Sequence, residues 1–388
     1  MGFCKTLRRC FVVLAFALTC GLAACGAAAS STDAPTLTSS AGVSTSALEL
    51  THARQFAVEQ HADGTSLLTI GDGDRYLLVP EGVEVPEAGT DVTVIHVPVH
   101  DAYLAASSAM DFFRQLGVLD VVSMTSTKRD DWSLPEASAA LDAGTLSYVG
   151  KYSAPDYEFV LGQGADLAIE STMIYHAPEV AERLRSFGIP VLVERSSYEA
   201  DPLGRLEWVK LYGLLTGRLD EARAFFEDQV AQVEAVRAAT SDEAPRVAFF
   251  SVSSGGYVVV RRPGDYVSQM IEMAGGHYFL DAEDVEDDSS LSTMKMEMEA
   301  FFEAASEADI LIYNSAIEGE IGSIDELVAK NARLADLPAV RSGQVWCTAK
   351  DFFQQPTCVA EMVRELAAVF SGTAAADQDF LYRVRQEA

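Results

Sequence analysis

The hydrophobic rhythm of the chain changes several times along its length. Residues Phe11 to Ala24 are nearly all apolar, 14 positions behind Lys5, Arg8 and Arg9. Gly26 to Ser46 is dominated by Ala, Ser, Thr and Gly without apolar periodicity, the pattern of a flexible tether. From Gln55 to Pro80 apolar and polar residues alternate, with Ala62-Asp63-Gly64 and Gly71-Asp72-Gly73-Asp74 as turns, which predicts antiparallel hairpins. Beyond Pro80 short apolar runs alternate with helical stretches, as in parallel α/β folds. Val92–Val97, Val118–Ser123, Asp166–Glu170 and Ile189–Glu194 form a first set of expected strands. Arg246–Val252, Tyr257–Arg261, Asp309–Asn314 and Gln344–Thr348 form a second. These runs are apolar throughout, as expected where helices cover both faces of a sheet.

Between the two sets Leu219, Ala222, Phe226, Val230, Val233 and Val236 recur at steps of three and four with no Gly or Pro among them. The spacing predicts one helix over Leu219–Ala239, 21 residues or roughly 31 Å long at about 1.5 Å per residue. The fold class expected is therefore α/β: two Rossmann-like lobes joined by one long helix, with a β-hairpin addition in front. The domain plan is a signal at 1–24, a tether at 25–47, the hairpins at 48–90, a first lobe at 91–217, the connecting helix at 218–240 and a second lobe at 241–388.

A basic start, a greasy stretch too short for the roughly 20 residues of a membrane span, and small residues before a cysteine describe a secretion signal. Leu22-Ala23-Ala24-Cys25 matches the bacterial lipobox, in which the cysteine is lipidated and becomes the first residue. The expected location is the outer face of the cell membrane, anchored through Cys25. Three of the six cysteines leave with the signal, so Cys347 and Cys358 remain. Outside the cytoplasm the pair fits an intrachain disulfide, and two separate buried thiols fit equally.

The sequence carries 28 basic and 58 acidic residues; removing Lys5, Arg8 and Arg9 leaves 25 against 58, a net charge of −33. Such a surface repels phosphate backbones, which argues against nucleic acid as a partner. Asp281 to Asp288 holds six acidic residues in eight, read as a solvated loop. Gly71 to Asp74 lacks the closing glutamate of a calcium loop. The six histidines are scattered, and Pro98 separates His96 from His100, so no metal cluster is expected. Nor is a cofactor.

Several stretches resemble the substrate-binding proteins of iron-siderophore, haem and vitamin B12 importers of the ABC class. They are Tyr152-Ser153-Ala154-Pro155-Asp156-Tyr157-Glu158 before Gly164-Ala165-Asp166-Leu167-Ala168-Ile169, then Ala177-Pro178-Glu179-Val180 and Phe187-Gly188-Ile189-Pro190-Val191. In the second half Ser268 to Gly276, and Met296 to Phe302 before Ala308-Asp309-Ile310-Leu311-Ile312, fit as well. Ser197-Tyr198-Glu199-Ala200-Asp201-Pro202-Leu203-Gly204-Arg205 is similar to a subgroup described as iron-complex binding. The resemblance runs from Val92 to Phe370 and implies ligand in the cleft between lobes, with a permease and its ATPase as partners and the chain itself monomeric. It also implies one docking glutamate on each lobe, Glu179 and Glu272, paired with permease arginines. Glu272 stands near a helix end, where the dipole disfavours a carboxylate and a local role is hard to supply.

Ligands of open α/β sheets bind beyond the carboxyl ends of the strands. The loops there hold Thr172, Met173, Tyr175 and His176; Arg195 and Tyr198; Arg261 and Arg262; Asn314; and Lys350 and Phe352 with its neighbour Phe353. Lys151 and Tyr152 precede a helix and join them. Guanidinium groups beside aromatics suit a flat or catecholate-like anion, while Arg261 and Arg262 before Pro263-Gly264 also fit an ordinary solvated turn. The function expected is capture of a metal chelate, ferric siderophore or haem first and corrinoid second, for an importer. The rival is a sensing lipoprotein without transport. An enzyme is disfavoured, because no HExxH, GxSxG, GxxxxGK[ST] or strand-borne GxGxxG occurs. Ser253-Ser254-Gly255-Gly256 reads as an anion cradle or as a tight strand connection.

Overall fold

The alternating segment folds as a sheet of its own. In the computed structural model, which describes residues 45–386 apart from 72, 88, 241–243 and 286–291, strands β1 (Thr45–Ala47), β2 (Phe56–His61), β3 (Ser66–Ile70), β4 (Asp74–Pro80) and β5 (Val92–Val97) lie in that order. The first four pair antiparallel, and β5 pairs parallel to β4, Leu77 opposite Val94 and Leu78 opposite Ile95. This corrects one expectation: the Val92–Val97 run closes the N-terminal sheet and does not open the first lobe. An apolar run states that a strand is covered, not which sheet covers it. The signal, Cys25 and the tether up to residue 44 lie outside the described residues, as do Glu286 to Asp288 of the acidic loop.

The first lobe is built on β6 (Ala102–Leu104), β7 (Val122–Thr125), β8 (Ser147–Tyr148), β11 (Leu167–Ser171) and β12 (Val191–Glu194), with a small β9 (Gly150–Lys151) and β10 (Ala154–Pro155) hairpin outside it. All its pairings are parallel, in the order β12-β11-β6-β7-β8. Leu104, Val122, Ile169 and Leu192 face the main core, while Tyr103, Met124, Ala168 and Val191 face a second apolar cluster on the other side. Burial on both faces is why these runs do not alternate.

The second lobe holds β13 (Arg246–Val252), β14 (Val258–Arg261), β15 (His277–Tyr278), β16 (Thr293–Met296), β17 (Ile310–Tyr313), β18 (Val345–Thr348) and β19 (Leu381–Arg383). Its centre is parallel, β13 with β17 and β17 with β18. Its flanks are antiparallel: β14 returns beside β13, β16 lies on β14 and β19 on β18. The wholly parallel sheet expected from the apolar runs is thus a mixed one. Ser253 to Tyr257 is the tight β13–β14 connection, with the Tyr257 N–H donating to Ser253 Oγ at 3.2 Å. The two lobe sheets use separate halves of the chain.

The connecting helix runs Leu219–Ala239, as the spacing predicts. Ala222, Phe226 and Val233 are buried, and Leu219, Val230 and Val236 pack half-buried against the same core. Asp220 and Glu221 in its first turn and Arg237 in its last complement the helix dipole.

The segment leading into β2 is fastened by two buried carboxylates. Glu207, fully buried in the helix Pro202–Glu207, accepts the backbone N–H groups of Thr51, His52 and Ala53 at 3.1, 2.8 and 2.8 Å, and pairs with Lys210 at 2.6 Å. Glu199 accepts those of Arg54 and Gln55 at 2.9 and 2.8 Å and the Trp208 indole N–H at 2.9 Å. Burial raises the Glu207 carboxyl, but the Ala53 amide, Lys210 and the other two amides outweigh it and hold it below the usual carboxylate range. Gly204 allows this approach: a Cβ there would stand 2.9 Å from the His52 carbonyl oxygen.

Breaking a buried pair leaves its partner charged and unsatisfied, at a cost of about 3–5 kcal/mol. Glu207→Ala is expected to lower unfolding stability in urea by that order, whereas Glu234→Ala, which removes an exposed partner of Arg237, costs under about 0.5 kcal/mol. Similar midpoints for the two variants contradict the fastening role.

Candidate functional site

A cavity of about 540 Å³ opens between the lobes. Ser197 to Ala200 and Arg205 line it from the first lobe; Arg261 to Tyr266, Ser292 and Phe353 line it from the second. Arg261, at the end of β14 and 9% exposed, stacks its guanidinium 5.2 Å from the Tyr266 ring and 5.0 Å from Phe353. Arg205 comes from the opposite lobe, is 6% exposed, and stacks 4.7 Å from the same Tyr266 ring. One aromatic ring thus holds two arginines, one from each lobe.

The positive charge there is only partly offset. Asp265 lies 3.5 Å from Arg261 but also caps the helix Tyr266–Met273, accepting the Val267 N–H at 2.9 Å. Burial raises the Asp265 carboxyl above its usual range against the pull of Arg261 and Arg205. Arg205 donates one long bond, 3.5 Å to the Phe353 carbonyl, and the buried Nε atoms of Arg205 and Arg261 have no hydrogen-bond partner. Glu199, the other carboxylate of the cavity lining, is spent on the N-terminal backbone. Two guanidiniums with unused donors and aromatic walls form a receptor for oxygen anions on a flat framework.

Of the residues the sequence singles out, Tyr198, Arg261 and Arg262 line the cavity. Arg195 sits beside it, stacked 5.3 Å from the Tyr198 ring. Thr172, Met173, Tyr175 and His176 form a 3-10 turn after β11, with Met173 and Tyr175 about half exposed. None of the four lines the cavity. Lys151 and Tyr152 belong to the β9 hairpin, away from it. Three other residues are engaged elsewhere. Asn314 caps the helix Ser315–Glu318, accepting the Ala316 N–H at 3.1 Å; Lys350 donates to the Asp130 carbonyl at 3.2 Å; and Phe352 is buried against Phe249. Its neighbour Phe353 is the cavity wall, a shift of one residue.

Arg205 and Tyr266 escape a reading of the sequence as site residues. Arg205 stands in a stretch distinctive for its resemblance alone, and Tyr266 looks like an ordinary core position. Only the packing of the helix Pro202–Glu207 against the helix Tyr266–Met273 brings them together.

Two further expectations change. Cys347 and Cys358 are free thiols. Cys347 sits inside β18 against Tyr382, while Cys358 faces Asp111 and Arg114 of the first lobe, where burial pushes its thiol up to about 12. The two side chains turn to different neighbours, so no bridge closes. Glu272 does have a local role: it accepts the Tyr278 N–H at 2.9 Å and lies 3.5 Å from His277. Glu179 is exposed in the first turn of the helix Pro178–Ser186. Among the described residues no group of three His, Cys, Asp or Glu could hold a metal, and no helix is long and apolar enough to cross a membrane.

Two α/β lobes on separate sheets, a single long connecting helix and a polar cavity between the lobes define a bilobed solute-binding protein. Residues 103–351 match the family model described as periplasmic binding protein, more than half of the chain, and the chain belongs to that family. It is 21% identical over 311 residues to an uncharacterized lipoprotein of Methanocaldococcus jannaschii, covering 76% of this chain and 72% of that one. Its fold is similar to a periplasmic binding protein from Veillonella parvula (TM-score 0.60, 18% identity, 83% of this chain and 99% of that one). It is also similar to the periplasmic haem-binding protein of Vibrio cholerae (TM-score 0.57, 18% identity, 69% and 98%).

Beneath the Thr172–His176 turn lies a buried acid. Glu170 in β11 is fully buried, and neither carboxyl oxygen has a hydrogen-bond partner; burial pushes its pKa up to about 8. The folded state therefore keeps it protonated where the unfolded chain, near 4.5, has released the proton. Stability from this group is complete below pH 4.5, is lost as pH rises, and levels off above about 8. Relative to Glu170→Gln, the wild-type protein is expected to lose on the order of 5 kcal/mol across that window. Parallel stability curves for the two proteins contradict it.

Proposed function

We propose that the protein is the extracytoplasmic binding component of an ABC importer, lipid-anchored through Cys25. It captures an anionic, ring-bearing metal chelate, a ferric siderophore or haem, in the interlobe cavity. The observation that carries this reading is the Arg205–Tyr266–Arg261 stack between the lobes, extended by Arg262, Tyr198 and Phe353. In a chain of net charge −30 an anion gains nothing from the general surface, so the binding energy comes from this local positive spot. The volume lies within the roughly 300–1,000 Å³ of small-molecule sites. A relative's haem ligand supports the class of cargo without fixing its identity.

The test is a thermal-shift screen of the purified protein with haemin, ferric siderophores and cobalamins. A ligand present at a hundredfold excess over Kd stabilises by roughly 2.7 kcal/mol. Arg261→Glu with Arg262→Glu is expected to weaken an anionic chelate strongly, by roughly 1.5–3 kcal/mol for each charged hydrogen bond lost, while sparing a neutral corrinoid. Absence of a shift with every chelate turns the reading toward a sensing lipoprotein. Unchanged affinity in the double variant removes the two arginines from the ligand site.

For delivery, Glu179 and Glu272 are the proposed docking carboxylates. Glu179→Ala is expected to leave ligand affinity and melting temperature unchanged and to lower uptake and stimulation of the transporter ATPase. Glu272→Ala acts likewise, with a stability loss of about 1–3 kcal/mol from the stranded Tyr278 N–H. Weakened ligand binding in Glu179→Ala places that carboxylate at the cleft and removes it from the docking face.

A further inference from the structure

The rim beside the cavity is assembled from segments more than 100 residues apart. Gly71 follows β3 with φ +56°, and a Cβ added there would stand 1.7 Å from Arg195 Nη1 and 2.8 Å from Cζ. The Arg195 guanidinium therefore rests directly on the glycine of the N-terminal sheet. Its other face covers the Tyr198 ring, and its buried Nε has no hydrogen-bond partner. Tyr198 is 48% exposed, an open ring under the guanidinium, and it also lines the cavity.

The N-terminal sheet is firmly seated behind this rim. The Tyr76 hydroxyl of β4 donates to the Val191 carbonyl at 3.2 Å and accepts the Val193 N–H at 3.4 Å, which covers the outer edge of β12 just before Arg195. The loop that follows is gripped from behind by Arg54 and Gln55 through Glu199.

We propose that the N-terminal sheet is part of the ligand site, with Gly71 as the positioning residue that holds Arg195 over Tyr198. Arg195 and Tyr198 then form a basic aromatic ledge that continues the cavity outward and takes the face of an outer ring of the bound anion. This rests on the reading of the cavity as a chelate site and assigns a role to a sheet outside the two lobes.

A side chain at position 71 meets the far end of a flexible arginine, so Gly71→Ala moves the guanidinium, while the left-handed backbone at φ +56° adds a stability cost that the melting check reads. The experiment measures binding of haemin, of the ferric complex of 2,3-dihydroxybenzoylserine and of cyanocobalamin to wild type, Gly71→Ala, Arg195→Ala and the double variant, each checked by thermal melting. The expected result is a roughly five- to tenfold loss for the ring-bearing anion in each single variant, the range of an exposed to half-buried cation–π contact. The double variant is expected to be no weaker than Arg195→Ala, because the two changes act through one group. Additive losses overturn the proposal, since Gly71 then acts by another route. Unchanged affinity in both single variants, with wild type binding a probe, overturns the ledge and leaves the cavity reading standing. A wild type that binds none of the three probes overturns both.

Discussion

The grip of Glu199 and Glu207 on the backbone of residues 51–55 is the constraint from which the rest of the architecture follows. Five consecutive N–H groups, in a segment with no sheet to pair them, are satisfied by two carboxylates lying in and just before one short helix. A buried donor left unmade costs about 1–3 kcal/mol, so this segment cannot detach without stranding several polar groups at once. The contact extends further. The His52 ring meets Phe226 of the connecting helix edge-on at 6.0 Å, and Lys210, already paired with Glu207, lies 4.4 Å from that same Phe226 ring. The N-terminal segment, the Pro202–Glu207 helix and the connecting helix are thereby one unit.

That unit also explains how a strongly acidic protein maintains a basic cleft. Carboxylates close to the cavity would neutralise Arg205 and Arg261, and the two that line it are committed elsewhere: Glu199 to backbone and indole donors, Asp265 in part to a helix cap. What stabilises the two guanidiniums side by side is the face of Tyr266, which attracts cations without supplying a counter-charge. The ring orients the arginines and leaves their donors for an incoming anion. Half of this receptor is therefore supplied by a stretch whose other half holds the N-terminal addition in place, and shape and charge in the cleft depend on contacts made behind it.

Much of this was legible in the sequence, and the exceptions have identifiable causes. The connecting helix was readable to the residue because a continuous apolar stripe has one period and no competing turn residues. The central strands were readable because both their faces are buried. Sheet membership was not: Val92–Val97 is as apolar as a lobe strand, and β6, only three residues long, is too short to show a pattern. Strand direction failed on the flanks of the second sheet, since hydrophobicity is blind to polarity of pairing. In the site, the exposed basic and aromatic residues after the strands were visible as types. Asn314 and Phe352 were drawn away by local duties, a helix cap and a core position, that a residue's identity does not disclose. Arg205 and Tyr266 were hidden for the opposite reason, because their significance exists only once two helices from different lobes are packed together.

The lobes are also joined across the cleft mouth by contacts that limit how they move. Asp111, fully buried in the first lobe, accepts both the N–H and the hydroxyl of Thr357 at 2.8 and 2.6 Å. Gln354 accepts the Ser133 N–H and donates to the Asp131 carbonyl at 2.8 and 2.9 Å. Gln269 donates to the carbonyl of Ala200, a residue of the cavity lining, at 3.0 Å. A wide opening would break these bonds and expose the Asp111 carboxylate, while the rigid helix between the lobes supplies no compensating hinge. Ligand exchange by small adjustments of the exposed Tyr198 side chain leaves all of these contacts intact. The cleft is consequently shaped before its cargo arrives, and a preorganised site loses less entropy on binding than one that must first assemble.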